Sequence, residues 1–306
     1  MKDFHYYLCR QLKGGGMEIF MDYSAYSVLS SEQKERIRAF VGFCNARDHL
    51  YNEIYLGSEF KAYPEMKVFY LAQEGAEIVG FLMVYADDRE SAEISACVLP
   101  SRRREGIFSA LFQQAGMELK KYHYSKVLLK TEKAFEDQQA FLSHYPVSFS
   151  HSEFLMVFDA SGCRPCAPKE GFSLRLAREA DLPALISISS RAFQNPLDVS
   201  ETYIRQTFSG KNGLLFAALF QEKPVGCVSV DQSGNGNYLF GLCIDPEVQH
   251  QGFGRCMLSE VLKQLRASDD REITLGVDRE NLAALPLYQS CGFKERTETQ
   301  YYEMSL

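Results

Sequence analysis

The segment Ile244-Asp245-Pro246-Glu247-Val248-Gln249-His250-Gln251-Gly252-Phe253-Gly254-Arg255 decides how the rest of the chain is read. Residues 238–244 are apolar enough for a strand, Pro246 marks a turn, and a helix is expected from Gly252 to Arg266. In that helix Phe253, Met257, Leu258, Val261, Leu262 and Leu265 recur at three- and four-residue spacing, opposite Arg255, Ser259, Glu260, Lys263 and Gln264. A strand that turns into a helix start leaves several backbone N–H groups unpaired at the positive end of the helix dipole, which suits a phosphate or pyrophosphate. Gly252 and Gly254 remove side chains that would hold an anion away from those amides. The segment is neither GxGxxG nor a Gly-Lys-Ser/Thr loop, so dinucleotide and Walker readings are excluded.

The same loop occurs earlier in the chain. Val79-Gly80 and Val225-Gly226, Pro100 and Pro246, Gly106 and Gly252, and residues 127–129 and 273–275 are matched pairs, each 146 residues apart. One offset held without a gap identifies a tandem duplication. It also lays residues 26–28 on 172–174, giving an N-terminal extension 1–21, a first domain 22–160, a Gly-, Pro- and Ser-punctuated linker 161–170, and a second domain 171–306. In the second copy, strands are expected at 173–176, 214–220, 225–230, 238–244 and 273–277, helices at 180–192, 252–266 and 282–290, and a final strand pair within 294–304. The first copy repeats strands at 68–73, 78–85, 93–99 and 126–131 and a helix at 106–122. The fold class is α+β, a mixed central β-sheet flanked by α-helices, twice over.

Composition narrows the function. The chain has 306 residues, 46% hydrophobic and 24% charged, which excludes disorder and suits two domains. No apolar run approaches the roughly 20 residues of a membrane span, and no secretory leader is visible, so a cytoplasmic, membrane-free protein is expected. A net charge of −7 argues against a nucleic-acid partner. Nine cysteines, an odd number scattered through apolar stretches, read as reduced thiols. Cys163 and Cys166 form a CxxC, but no second pair of ligands accompanies it, and no metal is expected. Lys13-Gly14-Gly15-Gly16 before Met17 could encode a purine-rich ribosome-binding sequence, so Met17 is the expected start and the segment before it is expected to pack poorly.

The loop pattern Gln-x-x-Gly-x-Gly, with the downstream series Asn281-x-x-Ala284-x-x-Leu287-Tyr288-x-x-Cys291-Gly292-Phe293, resembles the GCN5-related N-acetyltransferase (GNAT) superfamily over both copies. The resemblance implies tandem GNAT domains and acetyl-CoA as co-substrate. It places the CoA pyrophosphate on the backbone of Gln249, His250, Gln251, Gly252, Phe253, Gly254 and Arg255, and the pantetheine arm along Leu242, Cys243 and Ile244. It implies that Asn281 hydrogen-bonds the co-substrate and that Tyr288 protonates the departing thiolate. Direct attack by a small-molecule or peptide amine in a ternary complex is the expected chemistry.

Peptide-acetylating members often carry a glutamate five residues before the asparagine; here that residue is Gly276, leaving Asp231, Tyr238 and Asp278 as conceivable bases. The first copy departs further from the pattern. Phe108 stands where Gly254 does, Phe135 for Asn281, Leu142 for Tyr288 and Pro146 for Gly292. Arg102, Arg103 and Arg104 could still grip phosphates or form a solvated basic patch. The second copy is therefore expected to be catalytic and the first degenerate. The alternatives are an acyl-CoA sensor without turnover, which Tyr288 argues against, and a Fem-type aminoacyl transferase, which would lack an intact CoA loop.

Overall fold

Runs of alternating and continuous apolar residues set the strands of the computed structural model, which describes residues 6–8, 21–162 and 169–306. The CxxC cysteines and Met17 lie outside the described residues. In chain order the first elements are β1 (Tyr6–Leu8), β2 (Met21–Tyr26), α1 (Ser31–Asp48), β3 (Phe69–Glu74), β4 (Glu77–Tyr85), β5 (Ser91–Val98), α2 (Ile107–Lys121), β6 (Lys126–Glu132), α3 (Gln138–Leu142) and β7 (Ser148–Phe158). They are followed by β8 (Phe172–Leu176), α4 (Leu182–Phe193), α5 (Leu197–Ser209), β9 (Gly213–Phe220), β10 (Lys223–Asp231), β11 (Asn237–Ile244), α6 (Phe253–Ser268), β12 (Ile273–Asp278), α7 (Ala284–Ser290) and β13 (Phe293–Ser305).

The chain forms two compact units, residues 1–151 with 299–306, and residues 152–298. In the first, strands run in the order β1 to β6, antiparallel except for β5 with β6, and residues 299–305 of β13 then pair antiparallel with β6. β1 pairs with the start of β2, so residues 6–8, within the segment expected to pack poorly, form a strand. Helix α1 begins at a capping box between Ser30 and Gln33, and Ile37, Phe40, Val41 and Cys44 bury one stripe of it. Helix α2 buries Ile107, Leu111, Ala115 and Leu119, one residue per turn.

In the second unit the order is β7, β12, β11, β10, β9, β8, with β11 and β12 the parallel pair. Val228, Val230, Leu239, Leu275, Val277 and Met156 face α6, whose Met257, Leu258 and Val261 are fully buried. Leu215, Ala217, Cys227 and Cys243 face the other way, onto Leu185 and Ile188 of α4 and Ile204 of α5.

The units divide differently from a single cut at the linker. The reason is strand pairing: residues 153–157, which end the first sequence copy, lie antiparallel to β12, and residues 299–305, which end the second, lie against β6. The expected strand pair in 294–304 is one continuous strand, β13, because no glycine, proline or asparagine interrupts its alternation. Among the described residues the six cysteines are unbridged and no helix is long and apolar enough to cross a membrane.

Deleting Thr299–Leu306 removes the partner of β6 and the buried Tyr301 ring. Hydrogen-exchange mass spectrometry should then show β6 amides losing protection while those of β9 to β11 keep theirs.

Candidate active site

Parallel pairing between β11 and β12 covers Asn237 with Ile273, Tyr238 with Thr274, and Leu239 with Leu275. Beyond Leu239 the strands part, although β11 continues to Ile244 and β12 to Asp278. On its other side β11 stays paired with β10, but the register shifts between Cys227 opposite Cys243 and Ser229 opposite Phe240. One extra residue therefore lies on β11, a β-bulge at Gly241-Leu242, and Gly241 adopts φ +60°. The bulge reverses the strand: Leu239 faces α6 whereas Cys243 faces α4. The result is a fork whose β11 edge offers main-chain groups not taken up by β12. A lone glycine inside an apolar strand was the sequence sign of this bulge.

The loop after β11 is built to leave amides open. Gln249 donates Nε2–H to the Ile244 carbonyl at 3.0 Å, pinning the strand end to the loop. His250 (φ +61°) and Gly252 (φ +84°) turn the chain, and the first helical bond is Cys256 N–H to Gly252 O at 3.1 Å. No side chain caps this terminus. A Cβ at Gly252 would meet nothing within 4 Å, so the turn's outer side is open to a ligand. Gly254 behaves differently from expectation. A Cβ there would lie 3.4 Å from Leu287 of α7, in ordinary contact, so what stands beside this glycine is α7 and not open space. Lys169 was not singled out from the sequence, yet it donates to the Gln251 carbonyl at 2.8 Å and lies over the Phe253 ring, adding a cation beside the loop.

Asn281 accepts the Ala284 N–H at 3.0 Å through Oδ1, capping α7 and presenting its amide group at the exit of β12. Tyr288 is buried on α7, edge-on to Phe293, and burial alone pushes its phenol up to about 12. Of the conceivable bases, Asp231 is held by the Ser233 N–H and hydroxyl, and Asp278 accepts the Glu280 N–H at 2.6 Å. Both carboxylates are engaged in turns. Tyr238 instead reaches across to Gly276, its hydroxyl 2.7 Å from where a Cβ at 276 would sit.

Models of the acetyltransferase (GNAT) family match this chain twice, over residues 31–144 and 182–293. The chain belongs to that family. It is 31% identical over 125 residues, 40% of its length and 80% of the relative's, to the ribosomal protein bS18 alanine N-acetyltransferase of Escherichia coli K12, and 29% identical over 133 residues to that of Salmonella typhimurium, covering 42% and 86%. Among solved structures, a GCN5-related N-acetyltransferase from Sphaerobacter thermophilus aligns with a TM-score of 0.71 at 16% identity, over 92% of this chain and 95% of that one. A tandem GNAT protein from the clavulanic acid biosynthesis pathway aligns at 0.68 and 16% identity, over 93% and 98%.

The first GNAT copy keeps the loop's backbone but fills its ligand side. Arg104 and Gly106 repeat the positive φ angles of His250 and Gly252, and Arg103 Nε donates to the Val98 carbonyl as Gln249 does to Ile244. Yet β4 and β5 pair without a register shift, so no bulge exists there. Phe108 packs against Phe112, Phe141 and Tyr145. Arg102 is paired with Glu74 and Glu105, and Arg103 with Asp48, while only Arg104 is largely exposed. The triplet is thus mostly neutralised, neither a phosphate grip nor a solvated patch. Glu132 accepts the N–H groups of Tyr51 and Asn52, drawing that segment to the end of β6.

Tyr288 holds its proton more tightly when folded than the ordinary value of 10.0, so its contribution to stability is present below about pH 10 and lost as pH rises toward 12. Tyr288→Phe should flatten the fall of the urea midpoint between pH 10 and 12, measured beside the wild type.

Proposed function

We propose that the second GNAT copy transfers an acetyl group from acetyl-CoA to an amine, and that the first copy is not catalytic. The observation that carries this reading is the contrast between the copies: both part their parallel strands and turn at an open glycine, but only the second has the bulge and keeps Gly254, where the first has Phe108 in an aromatic cluster. Open amides beside Lys169 suit a pyrophosphate, and an unpaired strand edge suits the amide groups of a pantetheine arm. Bound acetyl-CoA would supply an activated acyl carbon whose C–S bond breaks as the N–C bond forms.

The residues of this chain then have separable tasks. The amides of residues 249–255 hold the anion, Leu242, Cys243 and Ile244 hold the arm by main-chain hydrogen bonds, and the Asn281 amide donates to the same ligand. Tyr288 donates its phenolic O–H toward the sulfur as negative charge gathers there. Its raised pKa means it works first as a hydrogen-bond donor to that charge and completes proton transfer late. The relatives named for the alanine terminus of a ribosomal protein make an alanine-terminated peptide the first acceptor to try, within a panel of amines followed by CoA thiol release. Turnover separates this reading from an acyl-CoA sensor.

Tyr288→Phe keeps the ring packing and removes only the hydroxyl. Its kcat should fall by roughly tenfold to a few hundredfold with little change in the KM for acetyl-CoA, whereas Leu142→Phe in the first copy should leave kcat unchanged. Full kcat in Tyr288→Phe across the pH range would remove the tyrosine from the reaction.

Gly254→Glu places a carboxylate in the first turn of α6, where the helix dipole tolerates it but where it competes with the anion. Calorimetry should show weakened acetyl-CoA binding by this variant, near-normal binding by Phe108→Glu, and one site per chain.

A further inference from the structure

Transfer to an amine leaves a proton on nitrogen that some group must take, and neither aspartate near the fork is placed for it. Gly276 is the first residue of β12 beyond its last pairing with β11. It has no side chain, and the space where one would start is approached from two neighbouring strands. The Tyr238 hydroxyl of β11 comes to 2.7 Å and the Glu153 Oε2 of β7 to 3.9 Å from the position of a Cβ at 276. Antiparallel pairing sets Leu155 opposite Gly276 and Glu153 opposite Asp278, so Glu153 shares Gly276's face of the sheet. Leu275, Val277 and Met156 point the other way, onto α6. Tyr238 is 40% exposed, so an acceptor can reach this face.

We propose that Glu153 is the general base of the second copy, its carboxylate taking the place at the fork that a side chain on residue 276 would otherwise fill. The inference rests on the acetyl-transfer reading given above. The amine lone pair forms the N–C bond, the C–S pair leaves with sulfur, the nitrogen proton passes to Glu153 Oε2, and Tyr288 supplies the proton to sulfur. Solvent then takes the proton from Glu153 and restores the one on Tyr288. A carboxylate is a weak base toward a free ammonium ion, but nitrogen already bonded to the acyl carbon is far more acidic, so transfer at that stage runs downhill. Before attack, the same negative charge draws a cationic amine to the fork, where it sheds one proton to solvent and so frees the lone pair that attacks. Tyr238 lies between Glu153 and the fork and serves as a positioning residue. Asp278 stands opposite Glu153 on β12, and the next residue, Arg279, donates its N–H to the Ser152 carbonyl and pairs with Glu298 at 3.2 Å.

The test compares wild type, Glu153→Gln and the double variant Glu153→Gln/Gly276→Glu, using the best acceptor from the amine panel between pH 6 and 10. Calorimetric acetyl-CoA binding serves as the control for folding. Expected for Glu153→Gln are unchanged acetyl-CoA binding, a fall in kcat/KM of about a hundredfold, and recovery of part of that loss with added formate or azide, which do not speed the wild type. Restoring a carboxylate from position 276, where the Tyr238 hydroxyl can swing aside, should recover at least tenfold of the loss. Unchanged kcat/KM in Glu153→Gln, or a fall that neither added formate or azide nor the carboxylate at position 276 recovers, would overturn the assignment while leaving the acetyl-transfer reading intact. A wild-type protein that binds acetyl-CoA but turns over no amine would overturn both.

Discussion

The site depends on a strand that cannot stay paired on both sides. β11 has one residue too many for β10, and the surplus is absorbed at Gly241, where a left-handed φ costs glycine little. The strand leaves the bulge with its faces exchanged, sending Cys243 toward α4 after Leu239 had faced α6. Its ladder with β12 ends at Leu239, as the first copy's ladder ends at Ile94 without a bulge, so what the bulge decides is which residues of β11 face each side of the fork. A side chain at 241 would have to adopt the same left-handed φ, and relieving that strain would press β11 back into register.

Duplication supplies a control inside one chain. Both copies carry the arginine or glutamine that donates to the strand-end carbonyl, and both turn the loop with a residue and a glycine at positive φ. Those features are therefore the requirements of a strand meeting a helix and are indifferent to ligand. What differs is the bulge, the residue at the second glycine position and the charge balance of the loop. The second glycine is where the difference is sharpest. A methyl at 254 would sit in ordinary contact with Leu287, whereas Phe108 at the matching position needs the space of Phe141 and Tyr145 around it. The first copy has an aromatic cluster where the second has a glycine.

Much of this was legible in the residues. The 146-residue offset and the loop motif together located the two sheets, the parallel crossover helices and the candidate Tyr288 and Asn281. Helix α1 escaped notice although Ser30 with Gln33 is a capping box and Ile37, Phe40, Val41 and Cys44 keep a helical stripe, because charged residues dominate its composition. Strand β7 escaped for a deeper reason. Its pairing with β12 joins residues about 120 positions apart in different copies, and an alternating strand does not say which edge it will meet. Glu153 could not be connected with Gly276 from the sequence for the same reason. The missing glutamate was visible; the strand bearing another carboxylate was not.

That placement bears on why a filled copy persists. The second unit is not closed by its own repeat: residues 153–157, encoded at the end of the first, complete its sheet beside β12, and residues 299–305 do the same for β6. Removing the first copy would strip β12 of a neighbour, take the buried Met156 out of the core and uncover Leu275 and Val277, three side chains at 5% exposure or less. Burial at that level stabilises by roughly 1.5–3 kcal/mol per side chain, so the loss is comparable to the whole margin of a small domain. The second unit thus needs the first copy for its strand and not for its loop, which leaves that loop free to carry Phe108. That need also ties chemistry to duplication, since the strand needed for stability carries the carboxylate proposed to take the proton.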